Sequence, residues 1–292
     1  MGGRMNGIYG EMPMEDYHST DALNSTTIRN IADSSCESAN HDRNVKPDEE
    51  EEKKKKQTAS EIARFEGTLV HHIFETKETD SKYQIAPVDS KGNHISKNSN
   101  EYKDFVKELP EGVSPLTKVQ HKMAHGCLEN ALIHEESKKF LQHGMFERSY
   151  FCELQDVEVK ARPDIDMTHI APSNNFPCLV DIKTRGKGRA KRDVWNYEFW
   201  TSHMYLQCGL QIMTARKLGL EVDNYFYLLV EKVPPYQVNV VPVDAETIHW
   251  SIRATQTLIE QWKAWLDSGC PKSYGLKQKA ITTPEWIKTK YA

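Results

Sequence analysis

The sequence predicts an α/β sheet protein built around one core. Three observations carry this. Several stretches repeat apolar residues at helical spacing, and short β-rich runs with period-two alternation lie between them. The order along the chain is helix, two or three strands, helix, strand, strand, helix, which suits one sheet and one core.

Residues 1–22 are polar and are expected to be poorly ordered, with a single domain over 23–292. Thr26 is placed to cap a short helix over Thr27–Ala32, and residues 34–58 read as a connector. Within it, Asp48–Lys56 (DEEEEKKKK) is too polar to join a core and reads as a solvated linker or short helical extension, a charged insert near 48–57. Ser60–Thr76 follows as a helix, with Leu69, Val70, Ile73 and Phe74 on one stripe. Residues 78–112 are loop-rich, with a short helix near Glu101–Leu109. Ser114-Pro115 makes a helix start, and helical pattern continues to Gln142, broken near His134 and ended by Gly144.

The period then changes. Phe146–Leu154, Val157–Arg162 and Cys178–Thr184 read as strands, followed by a long helix over Val194–Leu218. Tyr225–Val230 is a buried strand, and Gln237–Val241 its neighbour across Pro234-Pro235. Asp244 caps the last helix, which carries Ile248, Ile252, Ile259, Trp262, Trp265 and Leu266 and ends at Gly269.

Composition narrows the class. The chain has 292 residues, 38% hydrophobic and 27% charged, as for a globular protein with some polar excess. The opening residues lack the apolar stretch of a secretory leader, and Asn6 occupies the place a myristoylation site gives to Ser or Thr. The longest apolar run, Tyr225–Val230, is too short for a bilayer, so no membrane association is expected. Six scattered cysteines form no C-x-x-C pair, which speaks against a zinc ribbon and for a reduced, cytoplasmic setting. Net charge is −4, yet Lys183–Arg192 (KTRGKGRAKR) holds six basic residues and no acidic one. That string reads either as a phosphate-contacting loop or as a solvated surface loop.

Two short strings carry chemistry: Arg162-Pro163-Asp164 and Asp181-Ile182-Lys183. In the second, strand alternation sets Asp181 and Lys183 on one face and Ile182 on the other. Carboxylates of Asp164 and Asp181 meeting there would offer oxygen ligands to a hard divalent ion such as Mg²⁺. Such an ion activates water and neutralises charge on a phosphoryl oxygen, and Lys183 beside it is placed to orient water or stabilise the transition state. A surface turn plus a strand-edge ion pair would read the same way.

These strings resemble the PD-(D/E)XK nuclease superfamily, whose name describes them, and the resemblance implies an α/β restriction-endonuclease-like core with a mixed central sheet flanked by helices. The flanking residues resemble one branch of it. Gly67-Thr68-Leu69-Val70-His71, with Glu75, resembles the G-x-x-x-H helix of RecB- and RecE-like proteins, although a solvent-facing His–Glu pair would share that spacing. His203-Met204-Tyr205-Leu206-Gln207 resembles the Tyr/His-x-x-Gln helix, and Phe146-Glu147-Arg148-Ser149 the acidic position before the first core strand. Tyr17-His18, Ile31-Ala32-Asp33, Tyr83–Pro87 and Thr283-Pro284-Glu285-Trp286 extend the likeness to the RecE-type exodeoxyribonuclease (exonuclease VIII) nuclease domain over about residues 16–289. Three features depart from that pattern: the insert at 48–57, Glu75 one position early, and a Lys183–Gln207 interval a few residues long.

The resemblance implies catalytic roles for Asp164, Asp181, Lys183 and Gln207. It implies two Mg²⁺ ions, with Mn²⁺ able to substitute, held by His71, Asp164, Asp181, the Ile182 carbonyl and Glu147. Arg162, Arg185, Lys187, Arg189, Lys191, Arg192 and Tyr205 are assigned to the DNA surface. Also implied are 5′→3′ digestion of linear double-stranded DNA from its ends, a ring-shaped homo-oligomer, a single-strand annealing partner, and a place in phage-type recombination in the bacterial cytoplasm. The rivals are a single-strand exonuclease or endonuclease of the same fold, and a catalytically silent DNA-binding protein.

Overall fold

The computed structural model describes residues 5–44, 58–79, 82–92, 95–170 and 177–271. Gly7–Tyr9 (β1) and Met14–Ser19 (α1) come first, then Ser25–Asp33 (α2) and Cys36–Asn44 (α3). Ala59–Thr76 (α4) leads to Tyr83–Ile85 (β2), Asn100–Glu108 (α5) and Ser114–Leu116 (β3). Lys118–Ile133 (α6) and Glu135–His143 (α7) precede the strands Met145–Phe146 (β4), Ser149–Leu154 (β5), Val157–Ala161 (β6), Ile165–Asp166 (β7) and Cys178–Arg185 (β8). Arg192–Thr201 (α8) and Met204–Lys217 (α9) join β8 to Asn224–Glu231 (β9), and Val238–Val243 (β10) and Ala245–Asp267 (α10) follow.

The main sheet is mixed and runs β10-β9-β8-β7-β4, with β8 and β9 parallel and the other pairs antiparallel. A parallel pair needs a crossover, and α8 with α9 supplies it. Alternation along β8 and β9 feeds two cores. Leu179, Tyr225, Tyr227 and Leu229 pack with Leu206 and Leu210 of α9 and with Ile248, Ile259 and Trp262 of α10. Val180, Ile182, Phe226 and Leu228 meet Leu69 and Ile73 of α4 and Met123 and Leu128 of α6. Each such side chain contributes about 1.5–3 kcal/mol on full burial. The protein is therefore a helix–sheet–helix α/β fold, with a second sheet β1-β5-β6 beside it.

Two glycines let helices approach closely. A Cβ on Gly67 would stand 3.3 Å from Thr184 Oγ1, so glycine brings α4 against β8. A Cβ on Gly209 would stand 2.4 Å from the Ser251 carbonyl oxygen, where α9 crosses α10. The start of α4 is fixed by a capping box between Thr58 and Glu61, and its end by Lys77 in the left-handed region at φ 65°.

Several expectations are corrected. The segment before residue 23 is ordered from residue 5: β1 pairs antiparallel with β5, Gly7 opposite Phe151, and Tyr17 is buried against the Phe151 ring. Lys160 Nζ donates to the carbonyls of Tyr17 at 2.7 Å and Thr20 at 2.8 Å. Its order comes from these distant partners rather than from its own apolar content. Asn24, not Thr26, caps α2 by accepting from the Thr27 N–H, and α3 occupies much of the expected connector. Ser114-Pro115 lies in β3; Thr117 and Gln120 form the capping box that starts α6. The long helix after β8 is two helices, because His203 takes φ 52° and breaks the ladder. Leu266 is exposed rather than part of the α10 core stripe. The charged insert 48–57 and the Thr283–Trp286 motif lie outside the described residues. Among the described residues no helix is long and apolar enough to cross a membrane.

Candidate active site

The site forms where the chain passes from the small sheet to the large one. β6 ends at Ala161, and Pro163, which has no N–H to donate, stands at the crossing. Asp164 follows, and β7 begins at Ile165 opposite Val180 of β8. That register brings Asp164 alongside the chemistry-bearing end of β8, where Asp164 Oδ2 accepts from the Ile182 N–H at 2.6 Å. The Asp164 carboxylate is thereby fixed to the strand that carries Asp181 and Lys183.

Asp181 is fully buried. Its Oδ1 accepts from Gln207 Nε2 of α9, and its Oδ2 is in direct ion contact with Lys183 Nζ. Burial raises the Asp181 carboxyl to about 6; Lys183 is the chief opposing charge and Asp164 adds to the rise. The two catalytic candidates on one strand face thus form a pair, and the α9 residue expected beside them is hydrogen-bonded to it.

Two further groups converge on Asp164. From α4, His71 Nδ1 lies 3.6 Å from Asp164 Oδ1. Glu147 stands between β4 and β5 in the left-handed region at φ 52°, its N–H donating to the Asp164 carbonyl at 3.1 Å. Its own carbonyl accepts from Arg162 Nε at 2.8 Å, and its carboxylate lies 3.3 Å from that nitrogen. His71, Glu147 and Asp164 each offer one ligand atom, all within 4.8 Å of one another. Burial raises the Glu147 carboxyl to about 8; among nearby charges Asp164 adds the largest further rise, Arg162 opposes, and Glu75 and Asp181 add smaller rises. Such crowding of half-buried carboxylates beside the buried Asp181 costs free energy unless a cation or protons compensate. Oxygen donors with one imidazole suit a hard or borderline divalent ion, so the residues fit the metal that the sequence implied.

The expected ligands are not all equivalent. Asp181 is committed to Lys183 and Gln207 and stands outside the His71–Glu147–Asp164 group. Ile182 meets Asp164 through its N–H. Glu75 lines a cavity of about 380 Å³ together with His71, Glu147, Arg162 and Met14. A second cavity of about 260 Å³ lies between Asp164, Gln207 and Gln211 on one side and Tyr17, His18 and Ser25 on the other.

The residues assigned to DNA divide. Lys187, Arg189, Lys191 and Arg192 are exposed on the loop after β8 and at the start of α8. Arg185 is half-buried, 3.3 Å from Glu198 Oε2, with its guanidinium over the Trp195 ring at 4.3 Å. Tyr205 is half-buried, its hydroxyl 3.1 Å from His203 Nδ1 and its ring 5.2 Å from Trp200. Arg162 is turned inward, its side chain 8% exposed and in contact with the Met12 carbonyl and Met14 Sδ, and it lines both cavities beside the site. The Glu147 carboxylate and carbonyl hold this arginine inward, so its exposure follows from those partners rather than from chain position.

Two groups near the site escaped the sequence reading. Gln211 shares a face of α9 with Gln207, one turn on, and accepts from Tyr225 OH at 2.8 Å; the four-residue spacing was the available signal. The segment Gly10–Met14, which lines the larger cavity, carried no local signal.

A family model described as a PDDEXK-like domain of unknown function (DUF3799) matches residues 30–274. No curated protein matches the chain. Among solved structures, a protein from Eubacterium rectale provisionally described as an exonuclease is similar in fold, with TM-score 0.56 at 13% identity, covering 97% of this chain and 98% of that one.

Proposed function

This chain belongs to that PDDEXK-like domain family, and on that premise we propose that it is a metal-dependent exodeoxyribonuclease that degrades linear double-stranded DNA. The observation that carries the reading is the convergence of His71, Glu147 and Asp164 within 4.8 Å, beside the Asp181–Lys183 pair. His71, Glu147 and Asp164 would hold Mg²⁺, or Mn²⁺ in its place, with Asp181 completing the acidic wall. The bound ion supplies charge neutralisation at the phosphate and a more acidic water.

The chain's own residues account for the rest. Lys183 places the attacking water and balances negative charge that grows on the phosphoryl oxygens. Gln207 holds Asp181 in one rotamer, and Arg162 holds the Glu147 turn against Asp164. Water attacks phosphorus in line and releases one proton to solvent; the new O–P bond forms as the bond to the leaving oxygen breaks, and the leaving oxygen takes up a proton from solvent. Lys187, Lys191 and Arg192, exposed on the loop after β8 and at the start of α8, bind backbone phosphates without reading sequence.

Direction and context follow the RecE-type resemblance: digestion from 5′ ends, a ring of subunits, a single-strand annealing partner, and a recombination role in a bacterial or phage-infected cytoplasm. The test uses end-labelled linear duplex and covalently closed circular plasmid, each with Mg²⁺ and with EDTA. The linear duplex should be shortened from its 5′ ends in Mg²⁺ alone, and the circle should survive. Nicking or linearisation of the circle would replace the exonuclease reading with an endonuclease one.

A further inference from the structure

The loop after β8 contains an anion site that is already filled from within. Glu198 of α8 is nearly buried, its side chain 12% exposed, and it faces two guanidinium groups. Its Oε2 lies 3.3 Å from Arg185 Nη1, and its Oε1 is in direct contact with Arg189 Nη2. Two arginines closing on one carboxylate form a fork that matches a phosphate equally well, because phosphate and carboxylate take guanidinium groups in the same bidentate manner. The two guanidinium groups share this one carboxylate at contact range.

Its position suggests which anion. Residues 181, 183 and 185 lie on the same face of β8, and two-residue steps along a strand advance about 6.6 Å. That step resembles the separation of successive phosphates on one nucleic-acid strand. Asp181 is the chief charge opposing the effect of burial on Arg185, which brings the guanidinium down to about 10, so the two groups lie within electrostatic reach. Arg185 is held flat over Trp195, with its Nε buried and without a hydrogen-bond partner among the described residues. Its side chain is 21% exposed, while that of Arg189 is 57% exposed, so one arm of the cradle is anchored and the other can swing to admit a ligand. Lys187, Lys191 and Arg192 stand around it, exposed.

We propose that Arg185 and Arg189 form a cradle for one DNA backbone phosphate, two phosphate steps along the strand from the phosphate at Asp164 and Asp181. Glu198 occupies this cradle in the DNA-free protein and yields to the phosphate. The inference rests on the nuclease reading above and adds a binding subsite with a built-in competitor.

The test measures binding of a short labelled duplex in EDTA, so that hydrolysis plays no part, at several salt concentrations. Glu198→Gln keeps the size of the side chain and removes its charge. It should tighten DNA binding by roughly 3-fold or more, in line with the worth of a partly exposed ion pair. Arg189→Gln, on an exposed loop where folding is not at stake, should lower the log–log salt slope by about 0.9, the value of one phosphate contact. Unchanged or weaker binding by folded Glu198→Gln would overturn the competitor role and make Glu198 a support for the loop. Should that variant fail to fold, the Arg189→Gln slope alone decides, and an unchanged slope overturns the cradle. Wild-type protein that binds no DNA at low salt would overturn the nuclease reading with it; wild-type binding with an unmoved slope would remove only the cradle.

Discussion

Asp166 and Asp181 are both fully buried carboxylates on neighbouring antiparallel strands, yet the fold treats them differently. Asp166 accepts from Arg148 Nη1 and Tyr150 OH, each at 2.6 Å, and from the Thr168 N–H at 2.7 Å. Its donors come from the protein, and its charge has a guanidinium partner. Asp181 has one amide donor and one ammonium, and it sits beside Asp164 and Glu147 with its carboxyl raised to about 6, chiefly by burial. A buried carboxylate that the fold satisfies is architecture; a buried cluster that it leaves in want of positive charge is a place for a ligand.

The largest effects should separate the two on different axes. Asp181→Ala and Asp164→Ala should each lower DNA hydrolysis by about 10³-fold or more, with the fold retained, since either loss weakens both water activation and charge neutralisation. Asp166→Ala should instead cost about 3 kcal/mol of stability, by leaving Arg148 and Tyr150 without their acceptor. Activity per folded molecule should survive that change. Urea denaturation with a nuclease assay on the same samples would show whether the effects cross over; an inactive but stable Asp166→Ala would erase the distinction.

Lys183 sharpens it further. Lys183→Ala should lose about 10²-fold or more in turnover while still binding DNA in EDTA, because its contribution belongs to the transition state. Retained turnover with lost binding would make Lys183 a phosphate clamp.

A smaller effect concerns pH. Carboxyls raised in the folded state contribute stability that is present below their unfolded values and is lost as pH rises through the folded ones. With Asp181 raised to about 6 and Glu147 to about 8, the metal-free protein should lose stability between about pH 4 and 8. Mg²⁺ should restore it, and the Mg²⁺-induced rise in Tm should be larger at pH 8 than at pH 6. Equal rises at the two pH values would mean that metal binding does not relieve this cluster. Smallest of all, neutralising Lys187, Lys191 and Arg192 together should weaken DNA binding and lower the salt slope by about 0.9 per lost contact.

What the sequence disclosed depended on distance along the chain. Asp181 and Lys183 were legible because strand alternation alone puts them on one face, and the α/β class was legible because strand and helix periods differ; the mixed sheet came from resemblance. His71, Glu147 and Gln207 came from resemblance, and the structure brings all three around Asp164 and Asp181. That Asp166 is satisfied within the fold was not legible, because its partners Arg148 and Tyr150 lie far upstream. The inward turn of Arg162, the clamp of Glu198 on Arg185 and Arg189, and the ordered N-terminal segment were hidden for the same reason: each rests on partners that no local pattern specifies. The break at His203 was hidden differently, since polar residues there still fit a helical period.

The central claim is that one of the two acidic regions needs a cation and the other does not. Its most direct measurement is anomalous scattering from crystals soaked in Mn²⁺. A peak among His71, Glu147 and Asp164, lost in Asp164→Ala and absent at Asp166, is the predicted result. A peak confined to another place, or none in a protein that still cleaves DNA, would contradict it.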